Sequence, residues 1–202
     1  MANSFVTRRT AATVLAMAAL VPALPKGAFA LDVNQARTLV DGAVAAVNAT
    51  IDSGKSEAAM LRDFEAIFAR YADVRYIAQS ALGPAGRSAS PAAMDAYVKA
   101  FQGYIAHKYG RRFREFIGGQ IEVTGARPLK SFFEVTSTAR LKGQAPFQVA
   151  WHVFDKSGKN LFFNIIIEGV NMLAAERTEI GAMLDRRKGD ISALTADLRA
   201  LG

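Results

Sequence analysis

Phe147-Gln-Val-Ala-Trp-His-Val-Phe154, followed by Asp155-Lys-Ser-Gly158 and then Leu161-Phe-Phe-Asn-Ile-Ile-Ile167, decides the architecture. Its apolar residues recur at every second position, the period of a strand with one face covered. Phe147, Val149, Trp151 and Val153 share one face, and Leu161, Phe163, Ile165 and Ile167 share a face of the return strand. Asp155 to Gly158 supplies a hairpin turn, with a glycine available for the left-handed position. Upstream the alternation continues in Ile121 and Val123, and in Phe133, Val135, Ala139 and Leu141, where Ser137 interrupts it. Four strands on short connections predict an antiparallel meander.

Outward from this sheet the period changes to that of a helix. Val33, Ala36, Val40, Val44 and Val47 recur at steps of three and four behind Asp32-Val-Asn-Gln35, which has the form of a capping box. Gly54 ends this helix, and Ser56 can cap a second with Met60, Leu61, Phe64, Ile67 and Phe68 on its apolar face. A shorter helix is expected from Asp73 to Leu82, stopped by Gly83-Pro84, with a loop to Ser90. Ser90-Pro91 opens a long helix whose apolar stripe is Tyr97, Phe101, Ile105, Tyr109, Phe113 and Phe116. Beyond the sheet, helices are expected around Ala174 to Arg187 and from the Asp190 cap to Leu201. Helices first, sheet second and helices last make an α+β fold with a four-stranded antiparallel sheet.

The 202 residues include no cysteine and two histidines, which excludes disulfides, thiol nucleophiles, zinc fingers and iron–sulfur clusters. Residues 1–30 read as a cleaved signal peptide. Arg8 and Arg9 form a basic head, Ala11 to Leu24 an apolar run, and Ala28-Phe-Ala30 a small-x-small cleavage site. The run is shorter than the roughly 20 residues of a spanning helix, and Pro22 and Pro25 oppose a core helix. The twin arginines, the modest apolar run and Lys26 after it fit the Tat route. Thr10-Ala11-Ala12 is a weak match to the apolar pair that usually follows the arginines, so Tat and Sec stand even. Residues 31–202 then form a single periplasmic domain. The leader carries Arg8, Arg9 and Lys26 and no acid, so the formal charge of the remainder falls from +7 to +4, and the case for nucleic acid falls with it.

Candidates for chemistry are few. His107 and His152 have no carboxylate or serine at motif spacing, and there is neither a P-loop nor a nucleophile elbow. Asp63/Glu65 and Glu176/Glu179 read as solvated helix faces. No catalytic residue, metal site or cofactor is expected. The cluster Lys108, Arg111, Arg112 and Arg114 is compatible with a solvated flank, with a basic rim that meets a phosphate head group, or with an RNA-binding patch. The apolar residues are compatible with a sealed core or with a deep cleft.

Several stretches resemble one family. These are Phe64-Glu-Ala-Ile-Phe-Ala-Arg-Tyr-Ala-Asp73, Ile77-Ala-x-x-Ala-Leu-Gly83, Ser90-Pro-x-x-Met-x-x-Tyr-x-x-x-Phe101 and Tyr109-Gly-x-Arg-Phe113. With Ile167-Glu-Gly-Val-Asn-Met-Leu-x-x-Glu-Arg177 and the closing Gly189-Asp-Ile-x-x-Leu-x-x-x-Leu198, they are similar to the MlaC/toluene-tolerance family over the whole chain after residue 30. The resemblance implies an antiparallel sheet wrapped by helices around an apolar lipid pocket. It also implies a periplasmic phospholipid carrier that maintains outer-membrane lipid asymmetry. The expected partners are phospholipid, an outer-membrane lipoprotein complex and an inner-membrane ABC transporter with an MCE-domain subunit, with the carrier itself a monomer. A related branch is associated with hopanoid biosynthesis. On this resemblance, Phe147, Val149, Trp151, Val153, Phe163 and Ile165 are expected to form the acyl wall opposite Phe68, Phe101 and Tyr104. If the other sheet face lines the cleft, His152, Phe154, Phe162 and Ile166 replace that wall. Arg111, Arg112 and Arg114 are the candidates for the head group or for docking a partner.

Overall fold

The computed structural model describes residues 31–111 and 116–202. The predicted signal peptide, Arg112 and Arg114 lie outside the described residues. Six helices and five strands follow in the order α1 Val33–Ile51, α2 Glu57–Tyr71, α3 Val74–Leu82, α4 Pro91–Gly110, β1 Gln120–Pro128, β2 Phe133–Arg140, β3 Phe147–Phe154, β4 Leu161–Ile167, β5 Val170–Asn171, α5 Met172–Arg186 and α6 Ile191–Leu201. The sheet is antiparallel in the order β1-β2-β3-β4-β5. The expected four strands are present, and β5 is a fifth of two residues. It is too short for periodicity to register, and it exists because β4 turns back on itself before α5.

The helix starts follow the local chemistry. Asp32 and Gln35 form the reciprocal capping box, with the Gln35 N–H donating to Asp32 Oδ1 at 2.8 Å. Ser90 and Asp190 cap α4 and α6 through their side chains. Helix α5 begins two residues before the predicted start, because the Asn171 side chain caps it by accepting from the Ala174 N–H. Gly158 closes the β3–β4 turn with φ +78°, its N–H donating to the Asp155 carbonyl at 2.9 Å.

α1, α3 and α5 contact the sheet, whereas α2, α4 and α6 pack on other helices. α1 also covers the open edge of β1. Its Asn48 amide donates to the Ile121 carbonyl at 3.0 Å and accepts from the Ile121 N–H at 3.3 Å, pairing with that residue as a neighbouring strand would. Asn48→Ala leaves both backbone groups of a buried residue unpaired and is expected to cost about 1–3 kcal/mol, read from the urea midpoint.

Register explains the serine that interrupts β2. Ser137 faces Val149 and neighbours Trp151, and its hydroxyl accepts from the indole N–H at 2.9 Å while wholly buried. The buried tryptophan thus has the partner that its polar edge requires.

A β-bulge changes the face of one predicted residue. Val153 pairs with Phe162, but His152 pairs with Asn164, so Phe163 is the extra residue on β4. Phe162 therefore joins Ile165 and Ile167 on the helix-facing side and meets Trp151 edge-on, with ring centroids 5.3 Å apart. The Phe163 ring packs instead with Phe154 (4.4 Å) and Phe132 (5.4 Å). Strict alternation placed Phe163 with Ile165 and Phe162 on the other face, and one inserted residue brings Phe162 over.

Candidate functional site: an apolar cavity with one polar corner

A cavity of about 190 Å³ lies between the sheet and the helices. Helix α1 contributes Ala43 and Val47, α2 contributes Phe64, Ile67 and Phe68, and α3 contributes Ile77. The far wall is Trp151 of β3 with Phe162, Phe163, Ile165 and Ile167 of β4. Ile105, Ala106, Tyr109 and Gly110 of α4 and Met172, Leu173 and Glu176 of α5 close the remaining sides. Gly110 permits the close approach of α2, since a Cβ there would stand 2.4 Å from Leu61 Cδ2. Its lining is apolar except at one corner, so an apolar occupant takes that surface out of water and stabilises the fold.

Three polar side chains interrupt this wall, and they cluster at the first two turns of α5. The Asn164 carbonyl oxygen accepts from the Leu173 N–H at 3.1 Å. The Tyr109 hydroxyl donates to Glu176 Oε1, and Lys108 Nζ reaches the same oxygen at 2.7 Å. Lys108 also meets Glu179 Oε2 at 2.5 Å, and the Tyr104 hydroxyl donates to Glu179 Oε1 at 2.6 Å. Burial lowers the proton affinity of Lys108, but its bonds to Glu176 and Glu179 outweigh that and raise it well above the usual lysine value. Burial pushes the Tyr104 hydroxyl up to about 12, with the Glu179 carboxylate adding to the effect. Burial raises the Tyr109 hydroxyl too, assisted by Glu176. Lys108 is therefore charged at neutral pH, and both tyrosines keep their protons.

The predicted wall residues divide. Phe68, Trp151, Phe163 and Ile165 line the cavity. Phe101, Val149 and Val153 are buried in the core away from it, and Tyr104 sits behind it on Glu179. Phe147 packs against Phe116, with centroids 6.3 Å apart. Of the alternative face, Phe162 lines the cavity through the bulge, whereas His152, Phe154 and Ile166 do not. Arg111 is exposed at the end of α4, next to cavity-lining Gly110.

Glu176 was hidden from the reading of Glu176/Glu179 as a solvated pair. Glu179 is exposed, but Glu176 is 3% exposed. Its spacing held the signal: Leu173, Glu176, Ile180 and Leu184 form a stripe at steps of three and four, with one acid in an apolar series.

The two histidines lie elsewhere. His107 Nδ1 is 2.7 Å from the Leu201 carbonyl and fastens α6 to α4. His152 lies outside the cavity, with Nε2 3.5 Å from Glu134 Oε2 and its ring against Phe132 at 4.5 Å. Burial lowers the His152 proton affinity below its ordinary 6.5, and nearby Glu134 only partly opposes this. The unfolded chain then takes a proton that the folded chain resists. Stability present above about pH 6.5 is lost as pH falls towards the folded value. The melting temperature is expected to drop between pH 7.5 and pH 5.5, with a smaller drop in His152→Gln; equal drops would remove His152 as the cause.

Among the described residues, no helix is long and apolar enough to cross a membrane. The family model described as MlaC protein matches residues 37–200. A solved structure of a phospholipid-binding protein from Ralstonia solanacearum, in complex with a phospholipid, is similar in fold, with a TM-score of 0.70 and 18% sequence identity. The match covers 82% of this chain and 96% of that one.

Proposed function

We propose, because this chain belongs to the MlaC family, that it is a periplasmic carrier whose cavity holds the acyl chains of a phospholipid. The observation that carries this reading is the apolar cavity between β3–β4 and the helices. The phospholipid held by the Ralstonia protein of similar fold supports it. In this reading residues 1–30 direct export and are removed, and the remaining domain works without a cofactor and without catalysing a reaction. It shuttles lipid between an outer-membrane lipoprotein complex and an inner-membrane ABC transporter with an MCE-domain subunit, and so maintains outer-membrane asymmetry.

The energetics suit a carrier. A lipid with roughly 30 chain methylenes gains about 25 kcal/mol on leaving water, at about 0.8 kcal/mol per group, and gains a similar amount in a bilayer. A carrier need only match the bilayer to within a few kcal/mol, so that each docking site sets the direction of transfer. The cavity of about 190 Å³ is smaller than the roughly 300–1,000 Å³ of drug-sized pockets, so two chains require a wall to yield. Helix α2 is the wall that moves, because Phe64 alone among its residues is buried. Arg111, with Arg112 and Arg114 beyond it in sequence, stands for the phosphate or for a docking partner.

Native mass spectrometry of residues 31–202 purified from a periplasm tests this. A bound mass that leaves on denaturation and is identified as phospholipid is the expected result. Folded protein that is repeatedly lipid-free and takes no lipid from vesicles would overturn the reading.

A further inference from the structure

The carrier reading explains the apolar wall of the cavity and leaves one group in it unexplained. Glu176 is buried to 3% exposure on that wall. Its Oε1 is engaged by Lys108 and Tyr109, but its Oε2 is buried and meets no donor among the described residues. A buried carboxylate oxygen without a donor is costly, and native folds rarely retain one without a use. The position is also selective. Among the described residues, the charged groups tied to Glu176 are the Lys108 ammonium, on Oε1, and through it the Glu179 carboxylate, on which Arg186 also acts. A carboxylate oxygen without a donor repels a phosphate oxygen and favours a hydrogen-bond donor. Asn164, the third polar group of this corner, is already engaged by the Leu173 N–H and lies 3.4 Å from His152 Nδ1. Among the described residues, Glu176 Oε2 is thus the buried side-chain atom of this corner without a partner.

We infer that Glu176 Oε2 is a lipid-selecting contact: it accepts a hydrogen bond from an ammonium or hydroxyl of the bound lipid, whose polar end lies at the first two turns of α5. This deepens the carrier reading and rests on it. The carrier then prefers lipids whose polar part carries a donor over those that lack one.

The test is competitive uptake from vesicles that contain equal amounts of two lipids, read by native mass spectrometry of residues 31–202. Phosphatidylethanolamine, its monomethyl and dimethyl forms and phosphatidylcholine carry three, two, one and no N–H donors with similar charge. Phosphatidylglycerol offers hydroxyls instead. Uptake is expected to hold through the dimethyl form and to fall about tenfold at choline. Phosphatidylglycerol on the favoured side assigns the contact to any donor, and on the disfavoured side to an ammonium. Glu176→Gln, whose amide keeps the shape and can present N–H to the ligand, is expected to abolish the step at choline.

Equal uptake of all the lipids by the wild-type chain means that water or the chain itself satisfies Oε2, and overturns the inference while leaving the carrier reading standing. A step that survives in Glu176→Gln overturns the assignment to Glu176. No uptake of any lipid by the folded chain overturns the carrier reading first and this inference with it. The methylation series uses the wild-type chain, so the result stands even if the glutamine variant does not fold.

Discussion

Lys108→Met is expected to lower the free energy of unfolding by about 3–5 kcal/mol, the range for removing one partner of a buried ion pair. Methionine keeps the apolar stem of the lysine, so most of the loss is electrostatic. Glu176 is the reason: its carboxylate is nearly inaccessible and, without Lys108, retains among the described residues only the Tyr109 hydroxyl. Glu179 suffers less, because its side chain is 48% exposed and water replaces the ammonium. Denaturant unfolding in a double-mutant cycle with Glu176→Gln separates charge from packing. The deficit is expected to shrink in the Glu176→Gln background, which has no buried charge to leave uncompensated. A deficit of the same size in both backgrounds would show that the loss is one of packing.

The second large effect concerns two neighbouring isoleucines. Ile165→Asp is expected to reduce phospholipid bound per protein by about tenfold or more, because the carboxylate must then be buried against acyl chain. Ile166→Asp, one residue along β4, is expected to leave occupancy near that of the wild type. Ile165 faces Trp151 across the sheet and lines the cavity, whereas Ile166 faces Ala150 and does not line it. Both are partly exposed, so neither variant removes a wholly buried residue, and circular dichroism serves as the folding control. Lipid measured in both variants decides which face of β4 holds the ligand. Equal occupancy in the two would remove the sheet wall from the site.

Much of the fold was legible because its signals are local. The Asp32/Gln35 capping box, the Ser90-Pro91 start and the Gly158 turn each depend on residues within a few positions of one another. The apolar alternation of β2 and β3 survived because neighbouring strands there pair without an inserted residue. Even Ser137, which looked like a flaw in the pattern, kept its place in the alternation and proved to hold the Trp151 indole.

The site was less legible. Four of the nine predicted wall residues line the cavity, and the other five are core or near neighbours of it. An apolar residue on a helix or strand carries the same periodic signal whether it meets another side chain or a cavity. Periodicity reports which face is turned from water and says nothing of what fills the space beyond. Phe162 joined the wall for a different reason. A bulge is set by pairing with β3, and that pairing is absent from the local sequence of β4.

By itself, then, the sequence determined the α+β order of elements, the caps and turns, the antiparallel meander and the likeness to a family, because each is written in short-range spacing or in an ordered series of motifs. Only the tertiary structure decided that a cavity remains between sheet and helices, that Phe162 lines it beside Phe163, and that Glu176 is buried with one oxygen unmatched. Those are properties of surfaces brought together from α1 to α5, and packing across that distance leaves no periodic trace in any one of them.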